Sequence, residues 1–355
     1  MTTGGAQQDQ PSWLMRRVQR AYRRTGADLP GGDPRPTHHA EMEGWFWRFT
    51  DVRSGRVVVA LCGVNRHPAG SWATVAVAVH PGDVVRSAAV GSASASAHDY
   101  EVHAGNVLVA DGASLAVHLE DVHLAVRLDH LVGWPHRLGA GGIFSAVPFL
   151  GQYWHPHVLG GRASGTVRVG HETWTLDGAN VYAEKNWGAG FPRWWWWGQA
   201  QGFARRDVCL AFGGGRLAAG PFGASVTGCV LRLGSEVVRF APPAAIVRAG
   251  VDEGRWTLRA RRRGWRLEAE GHGDWTAPAL LPVPLPAERR NIDRDLEHLA
   301  ARLRLRAWKD GTLVLDDHTR LAALEVGSTD DDRFRQLAHD AGVPVEPVVA
   351  RPSVR

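Results

Sequence analysis

The sequence predicts an all-β protein made of two antiparallel β-barrel-like halves with short helices at its ends. From residue 44 to residue 326, short runs rich in Val, Leu, Trp and Thr alternate with polar residues. Gly, Asp and Asn turns separate these runs, as they do between β-strands. Many short strands in succession are typical of barrels and sandwiches rather than βαβ units. A barrel of about eight strands can hold one small ligand, so the fold class already suggests a binding cavity.

The predicted strands form three groups along the chain. The first is a meander, the second a set of hairpins, and the third contains Lys309-Asp310-Gly311 as a turn. In order, the strands are Asn106–Ala110, Leu115–Glu120, Val122–Asp129, Gly223–Leu233, Glu236–Phe240, Trp256–Arg261, Trp265–Glu270, Leu303–Trp308, Thr312–Asp316 and Leu321–Val326.

Between these groups, Gly and Pro predict interruptions of the strands. Gly213-Gly214-Gly215 is interpreted as a hairpin turn, and the Pro-rich segment Pro278–Pro286 as a loop. Ala287–Ala301 follows with a pattern compatible with a helix, and Asp331–Ala341 predicts a terminal helix.

The N-terminal residues 1–37 are polar and rich in Gly and Pro, except for a short amphipathic helix. Trp13, Leu14, Val18, Ala21 and Tyr22 fall on one face of this helix, and arginines surround the rest. A basic amphipathic helix can lie on an anionic membrane surface, which predicts peripheral membrane contact. Packing of the helix on its own domain is the alternative.

Composition excludes several classes of protein and partner. Hydrophobic residues make up 44% and charged residues 22%, as in globular proteins, and no apolar run approaches the ~20 residues of a membrane-spanning helix. The three cysteines fit neither a disulfide framework nor a thiolate metal site, and together with the lack of a secretory signal they predict a cytoplasmic protein. The net charge of +5 comes from arginines spread along the strands, which argues against nucleic-acid binding.

The most unusual segment contains four successive tryptophans, Trp194–Trp197, among 16 in the chain. In a strand, alternation places Trp195, Trp197, Gln199 and Gln201 on one face. Buried amides without partners are costly, so glutamines that continue an aromatic row indicate the few hydrogen-bonding groups of an apolar ligand pocket. Filling of the core is the alternative for any single tryptophan.

The preceding strand places a carboxyl group beside these aromatic residues. Tyr182, Glu184 and Asn186 share one face, whereas Lys185 and Trp187 point the other way. Desolvation by aromatic walls raises the pKa of a carboxyl group, so Glu184 can remain protonated and act as an acid. A Glu184–Lys185 pair at a surface turn is the alternative.

The segment YAEKNWGAGFPRWWWWGQ closely resembles the signature of the tocopherol cyclase family. Glu43-Gly44-Trp45, the segment from Trp154-His155-Pro156-His157 to Gly165, and the end from Trp308 to Gly327 resemble other parts of that family in the same order. The resemblance spans about residues 37–328 and is weak between 60 and 140. Trp194 and Gly198 depart from the plant enzymes.

The resemblance implies two lipocalin-like β-barrel domains. The expected division is an N-terminal tail at 1–37, a first domain at 38–217 that carries the active site, a second domain at 218–328, and a C-terminal helix and tail at 329–355. It also implies a cyclase that needs no cofactor or metal and closes a chromanol ring on a hydrophobic prenylated benzoquinol.

The resemblance and the strand faces together predict the site residues. Glu184 is expected to protonate the substrate alkene, and His155 or His157 to receive the phenolic proton. Trp195 and Trp197 are expected to stabilise the carbocation. The predicted substrate-binding residues are Glu43, Trp45, His157, Tyr182, Asn186, Trp187, Trp195, Trp197 and Gln199.

Two other functions share this fold and stay open. Protonation of a terpenoid or carotenoid alkene in the same site would give a hydratase if water is admitted, or a cyclase of such substrates. A barrel that only binds hydrophobic ligands is a carrier. His38-His39 and His155-x-His157 are also compatible with a metal site, although the resembled family uses none.

Overall fold

The structure is a computed structural model that describes residues 13–219, 222–252, 254–273 and 278–344. Strands dominate this part of the chain, and its α-helices are α1 (Trp13–Arg23) and α2 (Asp331–Asp340). The predicted all-β class with short terminal helices is confirmed. The side chains of Trp13 and Leu14 in the amphipathic face, and residues 1–12 and 345–355 of the tails, lie outside the described residues. Within them, no helix has the length and apolar character needed to cross a membrane.

The first sheet contains 12 antiparallel strands in the order β4-β3-β2-β1-β12-β11-β9-β8-β7-β6-β5, with β10 paired to β12. Strand β2 also contacts β5 and β6 across the core, so the sheet curls into a nearly closed barrel. The strands are β1 (Met42–Asp51), β2 (Arg56–Asn65), β3 (Trp72–His80), β4 (Val84–Val90), β5 (Ala93–Ala95), β6 (Glu101–Ala104), β7 (Leu108–Asp111), β8 (Ser114–Leu119), β9 (Val122–Asp129), β10 (Gln152–Val158), β11 (Arg162–Val169) and β12 (Glu172–Gly188).

The second sheet contains 10 antiparallel strands in the order β16-β15-β14-β13-β22-β21-β19-β18-β17, with β20 paired to β21. Its end strands β16 and β17 contact each other, so this sheet also curls around a core. The strands are β13 (Trp194–Ala200), β14 (Val208–Ala219), β15 (Phe222–Leu233), β16 (Glu236–Phe240), β17 (Ala245–Asp252), β18 (Arg255–Arg262), β19 (Trp265–His272), β20 (Ala279–Leu285), β21 (Arg290–Lys309) and β22 (Thr312–Ser328).

Three local predictions are wrong. The predicted loop Pro278–Pro286 contains strand β20, and the predicted helix Ala287–Ala301 lies mainly in strand β21. Proline is tolerated in β20 because this strand pairs only with β21 and its unpaired edge needs no N–H donors. The predicted turn Gly213-Gly214-Gly215 lies in the middle of β14, where packing against tryptophans requires residues without side chains.

The chain passes from the first sheet to the second between Gly188 and Trp194. The strand with four tryptophans therefore pairs with β14 and β22 of the second sheet. The predicted domain division at residues 217 and 218 stays a prediction.

A buried arginine connects the two sheets. The Arg48 guanidinium on β1 donates to Gln199 Oε1 at 3.0 Å and to the carbonyl oxygens of Leu299 and Leu321 at 2.8 Å each. These contacts hold the outer face of the first sheet against the second sheet.

Candidate active site between the two sheets

An apolar cavity of about 500 Å³ lies where the two sheets face each other. One wall comes from β1–β3, β10 and β12 of the first sheet, and the other from β13–β15 and β20–β22 of the second. This volume lies in the usual range for small-molecule sites. Polar or charged side chains in the wall include Thr74, Gln152, Glu184, Asn186, Thr227, Asp295 and Glu325.

The residue faces on β12 follow the predicted alternation. Glu184 and Asn186 line the cavity, and buried Tyr182 lies on the same face of the strand. Lys185 points to the opposite face, where its Nζ lies 2.8 Å from Glu43 Oε2.

Strand β13 places its tryptophans opposite the three glycines of β14. Trp195, Trp196 and Trp197 pair with Gly215, Gly214 and Gly213, respectively. A Cβ atom at Gly214 would lie 2.6 Å from Trp196 Nε1, and one at Gly213 would lie 3.4 Å from Trp197 Cδ1. The glycines therefore make room for the indoles, and all three tryptophans line the cavity.

The Glu184 carboxyl group is held by three donors that converge on one oxygen. Trp154 Nε1 and Trp197 Nε1 donate to Glu184 Oε2 at 2.8 and 2.9 Å, and the Tyr182 hydroxyl donates to the same atom. Burial raises the pKa of the Glu184 carboxyl to about 7, although its hydrogen bonds act in the opposite direction. Because Oε2 already accepts three hydrogen bonds, a proton on this carboxyl belongs on Oε1.

A second carboxyl group hydrogen-bonds with the other predicted tryptophan. Trp195 Nε1 donates to Glu325 Oε1 at 2.5 Å, and the Glu325 and Asp295 side chains are hydrogen-bonded to each other. Burial and the mutual repulsion of neighbouring carboxylates raise the pKa of both groups well above their ordinary values.

Asp295 and Glu325 are cavity residues that were not predicted, although the sequence contains a signal for one of them. Asp295 and Glu297 lie two residues apart in one strand and so share a face. The segment Ala287–Ala301 was instead interpreted as compatible with a helix, and the position of these residues beside a cavity depends on the packing of the two sheets.

Gln199 does not line the cavity, although it lies on the predicted face of β13. It is fully buried and accepts the hydrogen bond from Arg48 described above. Burial lowers the pKa of Arg48 to about 10. Burial also raises the pKa of nearby Glu297 to about 8, although the positive charge of Arg48 lowers it. Gln199 therefore contributes to the contact between the two sheets and not to the wall of the cavity.

Several predicted substrate-binding residues lie on the other face of β1 and β12. Glu43 pairs with Lys185, and the Trp187 ring stacks between His38 and Tyr153 at centroid distances of 4.2 and 5.4 Å. Neither Glu43 nor Trp187 lines the cavity, whereas the neighbouring Trp45 does.

The structure does not bring His155 together with Glu184. His155 pairs with Lys185 in the register of β10 and β12, so its ring lies on the Lys185 face. Burial lowers the pKa of His155 to about 3, and its Nδ1 accepts the Ala140 N–H at 3.3 Å. His157 is also buried and contacts the Tyr100 ring edge at 5.2 Å. Neither histidine lines the cavity.

Among the described residues, no group of three or more His, Cys, Asp or Glu side chains has the arrangement of a metal site. The three cysteines Cys62, Cys209 and Cys229 are buried and free.

Comparison with known proteins identifies the family. Residues 96–328 match the family described as tocopherol cyclase-like. The chain belongs to this family. The resemblance of its signature segment is therefore confirmed.

Curated relatives agree with this assignment. A segment of 197 residues, 52% of this chain, is 29% identical to "Probable tocopherol cyclase, chloroplastic" of Oryza sativa subsp. japonica. A segment of 202 residues, 54% of this chain, is 27% identical to "Tocopherol cyclase, chloroplastic" of Zea mays. Each match spans 42% of the relative's own length.

A solved structure supports the fold. The crystal structure of CghA with Sch210972 matches 81% of this chain and 88% of that chain with a TM-score of 0.55 at 12% identity. At this identity the likeness concerns the fold.

Proposed function

We propose that this protein closes a chromanol ring on a prenylated benzoquinol by protonating an alkene and capturing the cation with the phenol oxygen. The observation that carries the proposal is Glu184, a buried carboxyl group with a pKa of about 7 in the wall of a tryptophan-lined apolar cavity. Membership of the tocopherol cyclase-like family supports the same substrate class.

The geometry around Glu184 suits an acid that acts near neutral pH. A catalytic acid works best when its pKa lies near the working pH. The three donors at Oε2 stabilise the carboxylate that remains after proton transfer, and the proton itself leaves from Oε1. The substrate alkene gains a C–H bond, its π bond breaks, and a tertiary carbocation forms beside the Glu184 carboxylate.

The cavity walls protect that cation until the ring closes. The π faces of Trp154, Trp195 and Trp197 each stabilise a nearby cation by roughly 0.5–2 kcal/mol. The apolar lining excludes water, which would otherwise add to the cation and give an alcohol. Attack of the phenol oxygen then forms the C–O bond, and the phenol loses its proton.

The Glu184→Gln variant tests the proposal. Its amide oxygen keeps the acceptor position at Oε2, so the fold and ligand binding remain, but no acidic proton is available. Supplied with a prenylated benzoquinol, the wild type is expected to form a chromanol detectable by mass spectrometry. The variant should be slower by about 10²–10⁴-fold.

Glu297→Gln is the matched control, since Glu297 is buried but does not line the cavity. Equal rates of the wild type and Glu184→Gln would remove Glu184 as the acid. A tertiary alcohol as the product would identify a hydratase, and tight binding without any product would identify a carrier.

A further inference from the structure

The wall of the cavity opposite Glu184 contains a carboxyl pair, Asp295 and Glu325, that the proton transfer described above does not use. Trp195 on β13, Gly327 on β22 and Asp295 on β21 are direct neighbours across three strands, so they share one face. Trp197, Glu325 and Glu297 form the next such row on the same face. The missing side chain at Gly327 leaves space for the Trp195 ring, because a Cβ atom there would lie 2.0 Å from Trp195 Cζ2.

The hydrogen bond between Asp295 and Glu325 requires a shared proton. Two carboxylates offer only acceptors, so one of the two groups must carry a proton when they bond. With that proton, the pair has one negative charge and can accept one more proton. Burial and mutual repulsion raise the pKa of both groups, which favours a pair that keeps at least one proton.

In the described part of the chain, no cation is among the groups that shift the pKa of Asp295 or Glu325. Asp295 is 7% exposed, and no N–H or O–H donor of the described residues reaches its Oδ1 atom. The buried cation Arg48 acts on Glu297 and is not among the groups that act on Asp295 or Glu325. Burying carboxyl groups without a cation is costly, and both of these face the cavity. An unpartnered oxygen in that position suits a hydroxyl donor from a ligand.

Strand geometry also sets the spacing between the two acidic centres. Trp197 donates to Glu184, and Trp195 donates to Glu325. Residues two apart on a strand are separated by about 7 Å. The two indole N–H groups therefore hold Glu184 of the first sheet and Glu325 of the second sheet close to each other in the wall of one cavity.

We propose that Asp295 and Glu325 bind the ring hydroxyl of the substrate and accept its proton as the ring closes. This inference rests on the proposed function and takes the role that sequence analysis assigned to His155. Glu184 gives its proton to the alkene carbon, and the phenol O–H bond breaks as the new C–O bond forms. The released proton moves to the carboxyl pair. Proton exchange with solvent then returns one proton to Glu184 and removes one from the pair, so no oxidant or reductant is needed.

A binding experiment tests the hydroxyl contact without turnover. The probes are an alkylhydroquinone with a saturated tail and its dimethyl ether, measured by isothermal titration calorimetry. The double variant Asp295→Asn, Glu325→Gln keeps an amide–amide hydrogen bond and an acceptor for Trp195, and it buries no new charge. The wild type and the control Glu297→Gln should prefer the hydroquinone by about tenfold, as expected for a hydrogen bond to a charged group.

The double variant should lose this preference to within about twofold. A tenfold preference that survives in the double variant, or its absence from the wild type, would overturn the proposal. Should the double variant fail to fold, Asp295→Asn alone gives the same comparison, because it removes the unpartnered carboxyl oxygen.

A turnover experiment in D₂O tests the proton transfer itself. With a prenylated benzoquinol, the double variant should form chromanol at least about 100-fold more slowly, yet deuterium should still enter the alkene, since Glu184 is intact. Glu184→Gln should lose both reactions. If the double variant lost deuterium incorporation as well as ring closure, that result would contradict the role of Asp295 and Glu325 as the proton acceptor.

The two experiments separate this inference from the proposed function. If the wild type forms no chromanol while the hydroxyl preference depends on Asp295 and Glu325, the proposed function fails and the hydroxyl site stands. If the wild type forms chromanol and the double variant does so equally fast, the inference fails and the proposed function stands.

Discussion

Replacing Glu184 by Gln is expected to change how protein stability depends on pH. Burial raises the pKa of Glu184 from its ordinary value of 4.5 to about 7. Between these two values the folded state binds a proton that the unfolded state lacks, so the stabilisation present below pH 4.5 is lost as the pH rises through 7. Each tenfold change in proton affinity corresponds to about 1.4 kcal/mol. Relative to the variant, the wild type should lose about 2.5 kcal/mol of unfolding free energy between pH 5 and pH 8.

Thermal unfolding of both proteins at a series of pH values measures this difference. With roughly 2.1 cal/mol/K of unfolding entropy per residue, the expected change in the Tm difference is about 3 °C for a chain of this length. Glu297 and the Asp295–Glu325 pair are present in both proteins, and because the Glu184 charge raises the pKa of Glu297 and Glu325 in the wild type, their contribution changes with pH in the same direction as that of Glu184. A Tm difference that stays constant from pH 5 to pH 8 would refute the raised pKa of Glu184.

Three further substitutions test other parts of the site. Trp197→Phe keeps an aromatic wall but removes one donor to the Glu184 carboxylate, so the alkaline limb of the pH–rate profile should move to higher pH; an unchanged limb would argue against this hydrogen bond. Lys185→Met removes the nearest cation of buried Glu43 and leaves Arg66 at 3.3 Å, so it should cost about 3 kcal/mol, at the lower end for breaking a buried ion pair, measured by denaturant unfolding. The double variant with Glu43→Gln should recover most of that loss, and no recovery would mean that the pair is not the cause. Gly228→Leu extends into the cavity, where a Cβ atom meets nothing closer than 3.7 Å. It should raise KM for long prenyl chains more than for short ones while the Tm changes little, and an equal effect on both would place the chain elsewhere.

The strand faces near the site could be derived from the sequence because they depend on a local rule. Alternation along β12 and β13 placed Glu184 with Tyr182 and Asn186, and separated them from Lys185, as the structure has them. The same rule selected Trp195 and Trp197, both of which donate an indole N–H to a buried carboxyl group. The rule does not say what each face contacts: Trp196 lies on the opposite face of β13, yet it also lines the cavity.

Predictions failed where the outcome depended on distant parts of the chain. Gly213–Gly215 has the composition of a turn, but pairing with the tryptophans of β13 makes it a strand. His155 is close to Glu184 in the pairing of β10 with β12, yet the register puts its ring on the opposite face. Prolines in β20 are compatible with a strand only because that strand lies at an edge.

The sequence by itself determined the all-β class, the family and the aromatic strand beside Glu184. These features depend on patterns with a period of two and on a contiguous motif, both of which are local. Only the tertiary structure decided that the cavity lies between the two sheets. It also brought Glu325 to Trp195, 130 residues away in the chain. That contact requires β13 to pair with β22 within the second sheet, and no local pattern encodes the pairing of strands so far apart in the chain.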